Sequence, residues 1–351
     1  MQTTKLQKFR EMSKGEKRAL IGEFLLDNSL YIFLIIAIFA IQLARPSFLS
    51  LPSLVNIISL SAANLPMALG VAGAIILAGT DLSGGRVVGL VACVAAALLQ
   101  STGYAAKMFP SLETPPVILV FLAVIALGAL IGFINGYCTA TFHLHPFIVT
   151  LSTQLIVYGG LLLFLMIGNN NGQSISGLDE GYTNFIKGSF FSLGGTPIPN
   201  YVWYVIALTA ILWVVWNKTA FGKNMFAIGS NSEAANVSGV NVKWITVAVF
   251  VLAGALYAVT GFIEAARIGS NSAATGLNYE LDAIAACVIG GVSFVGGTGK
   301  IGGVVLGVVL LRLIFVGLNF LGVDANMQYI IKGLIILIAC AIDMRKYLVR
   351  K

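Results

Sequence analysis

The sequence predicts an all-α fold, a polytopic transmembrane helical bundle of about ten spans in which glycine breaks several helices. Three observations predict it. Of the 351 residues, 58% are hydrophobic and 39 more are glycine, an apolar share of roughly 69% against about 45–50% in soluble domains. Charged residues make up only 10%, against about 25% in an ordinary globular chain, too little polar surface to solvate a body of this size, so a soluble enzyme is excluded. The apolar residues also gather into runs, most of them near the roughly 20 residues that cross a bilayer as a helix. The net charge of +7 collects at the chain ends and in short loops. That distribution reports membrane topology rather than nucleic-acid binding.

Taken in order, residues 1–26 are polar and carry six Lys or Arg, too long for the n-region of a signal peptide. The first apolar run has no clear small-residue cleavage site, so it reads as a retained first span. This divides the chain into a basic cytoplasmic segment, 1–26, and a transmembrane domain, 27–345. Spans are predicted near 28–44, 54–79, 87–101, 116–138, 147–168, 201–216, 244–265, 281–295, 301–321 and 327–343. The third and eighth are short and flanked by glycine-rich breaks, so they read equally as half-helices, which leaves eight full spans as the alternative. Gly128, Gly132 and Gly136 recur at four-residue spacing, as do Gly303 and Gly307, and such stripes let helix backbones approach closely inside a membrane. The glycine-rich stretches 79–85 and 290–299 each follow an apolar run and precede a glycine-spaced span, which suggests an internal duplication. Broken helices in corresponding halves point to a transport pathway.

Counting Lys and Arg with the N-terminus inside puts fifteen on the cytoplasmic side, Arg86 among them, and four (Arg45, Lys107, Lys187, Arg267) outside. The positive-inside rule therefore places both termini in the cytoplasm. Trp203 falls at an outer span end and Trp213, Trp216 and Trp244 at inner ends, where indole rings prefer the headgroup layer. Two loops are long enough to work. The external one, 169–200, is polar. The internal one, 217–243, contains Ser232-Glu-Ala-Ala after a Gly229-Ser-Asn break, so a short helix capped by Ser230 or Asn231 is expected, forming a rigid knob.

The run Gly79-Thr-Asp-Leu-Ser-Gly-Gly-Arg86 contains Leu-Ser-Gly-Gly, yet no phosphate-cradling loop accompanies it: Gly299-Lys300 has Phe294 where the first glycine belongs and Ile301 after the lysine, so ATP is not bound that way. Structurally, Asp81 or Ser83 would cap the third span and Arg86 would anchor at headgroups; functionally, the run would gate or conduct. Arg312 and Lys332 lie inside spans, where charge is costly. Glu264, Glu280 and Asp282, near the outer face, are candidate partners for Lys332, while no carboxylate is expected at the depth of Arg312. His143 and His145 are two apart and do not share a helix face as a metal pair would. Cys93, Cys138, Cys287 and Cys340 sit singly in apolar stretches, the pattern of small core residues. No cofactor or metal is implied.

Further residues carry a resemblance: Pro46-Ser-Phe-Leu-Ser; Ala68-Leu-Gly-Val-Ala-Gly through Gly79-Thr-Asp-Leu-Ser; Asn135-Gly followed by Pro146-Phe-Ile-Val-Thr-Leu; Thr219-Ala-Phe-Gly-Lys with Ala227-Ile-Gly and Ala234-Ala through Ser238-Gly-Val; and Glu280-Leu-Asp-Ala-Ile-Ala-Ala through Gly290-Gly-Val-Ser and Gly296-Gly. Over residues 40 to 345 the chain resembles the permease subunit of bacterial ABC importers for monosaccharides, the ribose, xylose and galactose group. Its first break is most similar to that of the galactose and methyl-galactoside branch. The resemblance implies a homodimer in the inner membrane, a separate ABC ATPase subunit, a periplasmic sugar-binding protein and a monosaccharide substrate. It also implies that the knob seats on the ATPase, through Phe221, Gly222, Glu233, Ala234, Ala235 and Gly239. Asp81, Ser83, Asn64, Arg312 and Ser293 are the candidates for pathway or gating. An ion-coupled secondary sugar transporter is the alternative, set back by the absence of a carboxylate expected at mid-membrane.

Overall fold

A computed structural model describes the backbone of residues 29–349 and the side chains of 35–341; the basic segment 1–26 lies outside the described residues. The regular structure of the described chain is helical apart from one hairpin. In order it forms α1 (Ser29–Ala44), α2 (Leu51–Ile76), α3 (Gly84–Leu98), α4 (Val117–Phe142), α5 (Pro146–Leu165), α6 (Glu180–Lys187), β1 (Phe191–Leu193), β2 (Thr196–Ile198), α7 (Asn200–Lys218), α8 (Ala220–Ser230), α9 (Ser232–Val237), α10 (Val242–Ile268), α11 (Tyr279–Ile289), α12 (Ile301–Phe320) and α13 (Ala325–Val349). Each predicted apolar run is a helix. Among the described residues, α2, α4, α5, α7, α10 and α12 are long and apolar enough to cross a membrane, while α3 and the described apolar parts of α1 and α13 are shorter. The most apolar window, in α4, is only 28% buried, so its greasy surface points outward, as a bilayer requires and water forbids.

Glycine stripes set the closest helix contacts. In α4, Gly128, Gly132 and Gly136 press against α10 so closely that a Cβ would strike the backbone of Gly254, Phe250 and Val247. Gly303 and Gly307 of α12 do the same against Gly290 and Ala286 of α11. Both stripes therefore serve packing within the chain, the use expected where no hydrophobic effect drives helices together. Pro66 interrupts the hydrogen-bond ladder of α2, and the next amide, Met67 N, donates to Thr260 Oγ1 of α10 at 3.0 Å, so the neighbouring helix meets a backbone need that lipid cannot.

Two of the breaks meet inside the bundle. After α2 the chain turns left-handed at Ala78 (φ 58°) and runs without helix to Gly84. After α10 it turns at Gly269 (φ 77°), passes through irregular residues and turns again at Asn278 (φ 61°) before α11. The starts of α3 and α11 then meet: Gly85 and Gly89 lie against the carbonyls of Gly276 and Thr275 and the carboxylate of Glu280. The irregular stretch 269–278 thus lies against the start of α3. The stretch 290–299 is a turn at one end of the bundle, where Gly297 N donates to Ile76 O at 2.9 Å.

That end also holds Pro146, packed on Gly79, and Gly229, packed on Ile76. The opposite end is closed by bridges Gln100–Leu178 and Ile175–Asn271, where the 169–200 loop folds as α6 and the β1–β2 hairpin.

Candidate functional site

The break 77–83 carries a sealed polar cluster. Asp81 is 1% exposed. Its Oδ1 accepts from Ser83 N at 2.9 Å and Ser83 Oγ at 2.6 Å, and its Oδ2 accepts from the Tyr257 hydroxyl of α10 at 3.1 Å. Ser83 Oγ in turn accepts from Asn135 Nδ2 of α4 at 3.0 Å. Thr150 of α5 donates to Thr80 O at 3.2 Å and accepts from Leu82 N at 3.1 Å. An unwound strand at membrane depth needs partners for its polar groups: Thr150 of α5 answers the Leu82 amide and the Thr80 carbonyl, while α4 and α10 hold the side chains of Ser83 and Asp81. Neither Asp81 nor Ser83 caps α3 with its side chain: Ser83 occupies the cap position without a side-chain cap bond, and Asp81 holds the amide of Ser83 itself. Arg86 is not at the headgroups: it is half-buried, donating to Ala273 O at 3.1 Å and lying over the Tyr158 ring at 4.0 Å. The helix begins inside the bundle, so a residue two positions into it is still interior.

A second cluster joins α2, α11, α12 and α13. Asp282 Oδ1 pairs with Lys332 Nζ at 2.6 Å, and Oδ2 lies 3.5 Å from Arg312 Nη2. This corrects the expectation that no carboxylate reaches the depth of Arg312. Asp282 follows an unwound stretch that has already descended from the end of the bundle, and a straight-helix reading leaves it at the surface. Beside the pair lies a cavity of about 10 Å³ lined by Asn64, Tyr279, Asp282 and Arg312 among apolar neighbours, room for one water. Glu264, fully buried, binds Arg267 through two hydrogen bonds at 2.9 and 2.6 Å and accepts from Tyr279 OH at 3.2 Å. Glu280, 4% exposed, has an Oε2 without a hydrogen-bond partner among the described residues. Asp81, Glu264, Glu280 and Asp282 are therefore all buried.

The knob has two helices where one is expected. Thr219 caps α8, accepting from Gly222 N at 3.4 Å, and Asn231 caps α9, accepting from Ala234 N at 2.9 Å. Gly222 sits against the backbone of Trp216, whose ring meets Phe226 edge-on at 6.1 Å. Trp216 is thus buried rather than an interfacial anchor, while Trp203, Trp213 and Trp244 are exposed. Phe221 packs on the core and Ala235 is buried, so both fasten the knob. Glu233 and Ala234 are exposed, and Gly239 (φ 85°) ends α9 in open space. An open cleft of about 730 Å³ separates the knob from the α4–α5 turn, with His143, Pro146, Glu233, Asn236 and Lys243 on its walls. His143 ends α4 in a left-handed conformation and His145 Nδ1 caps α5, accepting from Phe147 N at 3.3 Å.

The candidate pathway residues thus fall in three places. Asp81 and Ser83 share the sealed cluster, Asn64 and Arg312 share the second, and Ser293 lies in the end turn, where its Oγ accepts from Val295 N at 3.4 Å. That turn touches the knob, since Gly296 and Gly297 contact Gly229 and Ser230. Tyr257 and Tyr279 escape a sequence reading because only the tertiary fold brings them in, whereas Asp282, one of the candidate partners for Lys332, does pair with it at 2.6 Å. The one available signal was that Arg312 and Lys332, each too costly to leave alone in a membrane, both demanded a carboxylate.

Residues 53–340 match a family model described as branched-chain amino acid transport system / permease component. The galactose/methyl galactoside import permease protein MglC of Escherichia coli K12 is 48% identical over 341 residues, covering 97% of this chain and all of the relative. The protein of that name from Haemophilus influenzae is 46% identical over 94% of this chain and 97% of its own length. The ribose import permease protein RbsC of E. coli K12 is 33% identical over 94% of this chain and 97% of its own length. No solved structure matches the chain. A match across this much of the sequence, on a bundle whose long apolar helices face outward, shows that the chain belongs to this family of membrane permease components.

Proposed function

We propose that the chain is the membrane-spanning subunit of an ATP-driven importer, carrying galactose or a methyl galactoside across a bacterial inner membrane by alternating access. One observation carries the reading: 48% identity to a galactose/methyl galactoside import permease, running the whole length of that relative. The chain supplies no phosphate-binding loop of its own, so hydrolysis belongs to a separate ABC ATPase, and a periplasmic binding protein delivers the sugar.

Orientation follows from charge. The bundle end that bears the knob carries Lys218, Lys223, Lys243 and Lys300, while Arg45, Lys107, Lys187 and Arg267 belong to the other, so the knob faces the cytoplasm and, with an even number of crossings, so do both termini. Moving Arg86 to the interior removes one basic residue from the cytoplasmic side and leaves the bias intact. Knob and pathway are mechanically close, because Gly229 touches Ile76 at the start of the 77–83 break. The cavity beside Asp282 is far too small for a hexose in this state, so the path runs along the axis of a homodimer and that cavity would have to open onto it. The interior carboxylates remove one argument against an ion-coupled transporter, but the identity to import permeases outweighs it.

The test is uptake of labelled galactose into proteoliposomes holding the chain with its ATPase and binding protein. Uptake should require ATP inside the ATPase compartment and survive an uncoupler. Uptake that collapses with the uncoupler while ATP stays high, or that proceeds in the isolated chain, would refute the reading. Within that assay, Ala234→Trp is expected to abolish uptake while insertion and folding persist, since Ala234 is exposed and a larger side chain there displaces only a partner.

A further inference from the structure

We propose that Asp282, Arg312 and Asn64 form the station at which the passing sugar is hydrogen-bonded midway through the bundle, with Lys332 as the cation that holds Asp282 between passages. The inference deepens the importer reading and rests on it. A charged side chain at membrane depth either pairs fully inside the protein or faces water or a partner. The Asp81 cluster does the first: each carboxylate oxygen is engaged at 3.1 Å or less and the residue is 1% exposed. The Asp282 cluster does not. The side chains of Arg312, Lys332 and Asp282 keep 18%, 16% and 11% of their surface open, although their elements lie in the apolar part of the chain. Two cations share the Asp282 carboxylate there and all three side chains stay partly open, which a lipid-facing surface does not tolerate.

The chemistry matches a polyhydroxyl ligand. A carboxylate accepts from two neighbouring hydroxyls, and a guanidinium presents a planar fork of donors to ring and hydroxyl oxygens. Asn64 adds an amide, oriented by its bond to Leu60 O at 3.0 Å. Among the described residues the polar contact of Arg312 is the 3.5 Å approach to Asp282, which leaves most of its donors for a ligand. All three residues border a small cavity, the space that would widen as helices separate. Lys332 also lies 5.3 Å from the Phe315 ring centre and 5.5 Å from that of Tyr329, so it has an alternative seat when Asp282 turns to the sugar.

The experiment uses the complete importer, permease with ATPase and binding protein, in proteoliposomes. Asp282→Asn and Arg312→Gln should each slow galactose uptake by at least about tenfold while hydrolysis stimulated by loaded binding protein stays within about twofold of wild type. Unchanged uptake overturns the proposal, and so does a parallel fall of uptake and stimulated hydrolysis. A second measurement stands even if those variants fold poorly. In a chain whose four cysteines are replaced by serine, Asn64→Cys should be modified by a water-soluble thiosulfonate during turnover, and saturating galactose should slow the modification. No modification, or modification indifferent to galactose, overturns the proposal. A wild-type importer that fails to use ATP would sink the reading beneath it, whereas a working wild type with indifferent variants sinks only the station.

Discussion

Asp81 and Asp282 are both buried carboxylates at the start of a broken helix, and they are held in opposite ways. Asp81 is gripped by hydrogen bonds from a serine amide, the same serine's hydroxyl and a tyrosine. Asp282 is gripped by charge, between Arg312 and Lys332. Hydrogen-bonded clusters sit where the backbone itself has come apart and its amides must be answered, as along 77–83. Charge-paired clusters sit where separate helices are tied together, here α11 to α12 and α13. The first arrangement fixes a local shape. The second couples elements that can part, because a carboxylate with two cations can exchange one contact for another.

The largest expected effect tests that distinction directly. Asp282→Ala removes the shared anion and leaves two cations unpaired inside the bundle, a loss of about 3–5 kcal/mol, read as a lowered unfolding midpoint of the detergent-solubilised chain. Replacing the whole group with Asp282→Leu, Arg312→Met and Lys332→Met should recover most of it, since apolar packing of similar volume substitutes well for a buried ion cluster. If the triple variant is no more stable than the single one, the cost came from lost volume, and the contrast with Asp81 fails.

A smaller effect is expected at the other site. Asp81→Ala strands the Ser83 amide and hydroxyl and the Tyr257 hydroxyl, all facing the interior. Leaving buried donors unmet costs about 1–3 kcal/mol, partly offset by removing a carboxylate from a place with no cation bound to it. The same unfolding measurement should place this variant between wild type and Asp282→Ala. A larger loss than at Asp282 would mean that the unwound strand, not the ionic tie, is the weaker joint.

The two sites also differ in what could be read before the fold was known. The Asp81 run announces itself, with its carboxylate, serine and glycines contiguous in the sequence, and the end of α2 follows from the same residues. Each apolar run became a helix because hydrophobic length decides that locally, and the four-residue glycine spacing of α4 and α12 needed only one helix to be recognised. Asp282 was legible as a candidate partner for Lys332 but not for Arg312, because depth was counted along straight helices, whereas the irregular residues 269–278 carry the chain inward before α11 begins. Helix α8 escaped because Gly222 and Gly229 look like breakers. Both are there for close approach, to Trp216 and Ile76, which is a tertiary reason that no propensity contains.

The smallest effect gives the sharpest reading of the Asp81 cluster. Tyr257→Phe deletes one hydroxyl and keeps the ring, which packs close to Gly70 and Gly84. Hydrogen bonds between membrane helices average about 0.6 kcal/mol and reach about 1.7, because the unfolded chain in lipid also finds partners. If Asp81 is held by several bonds acting together, Tyr257→Phe should cost about 1 kcal/mol in unfolding free energy and Asp81→Ala should cost no more when added to it than the difference between the two single variants. If the losses instead add in full, the tyrosine and the carboxylate act independently. The strand 77–83 would then be anchored by Ser83, Asn135 and Thr150, and Asp81 would be free to serve as more than a fastening.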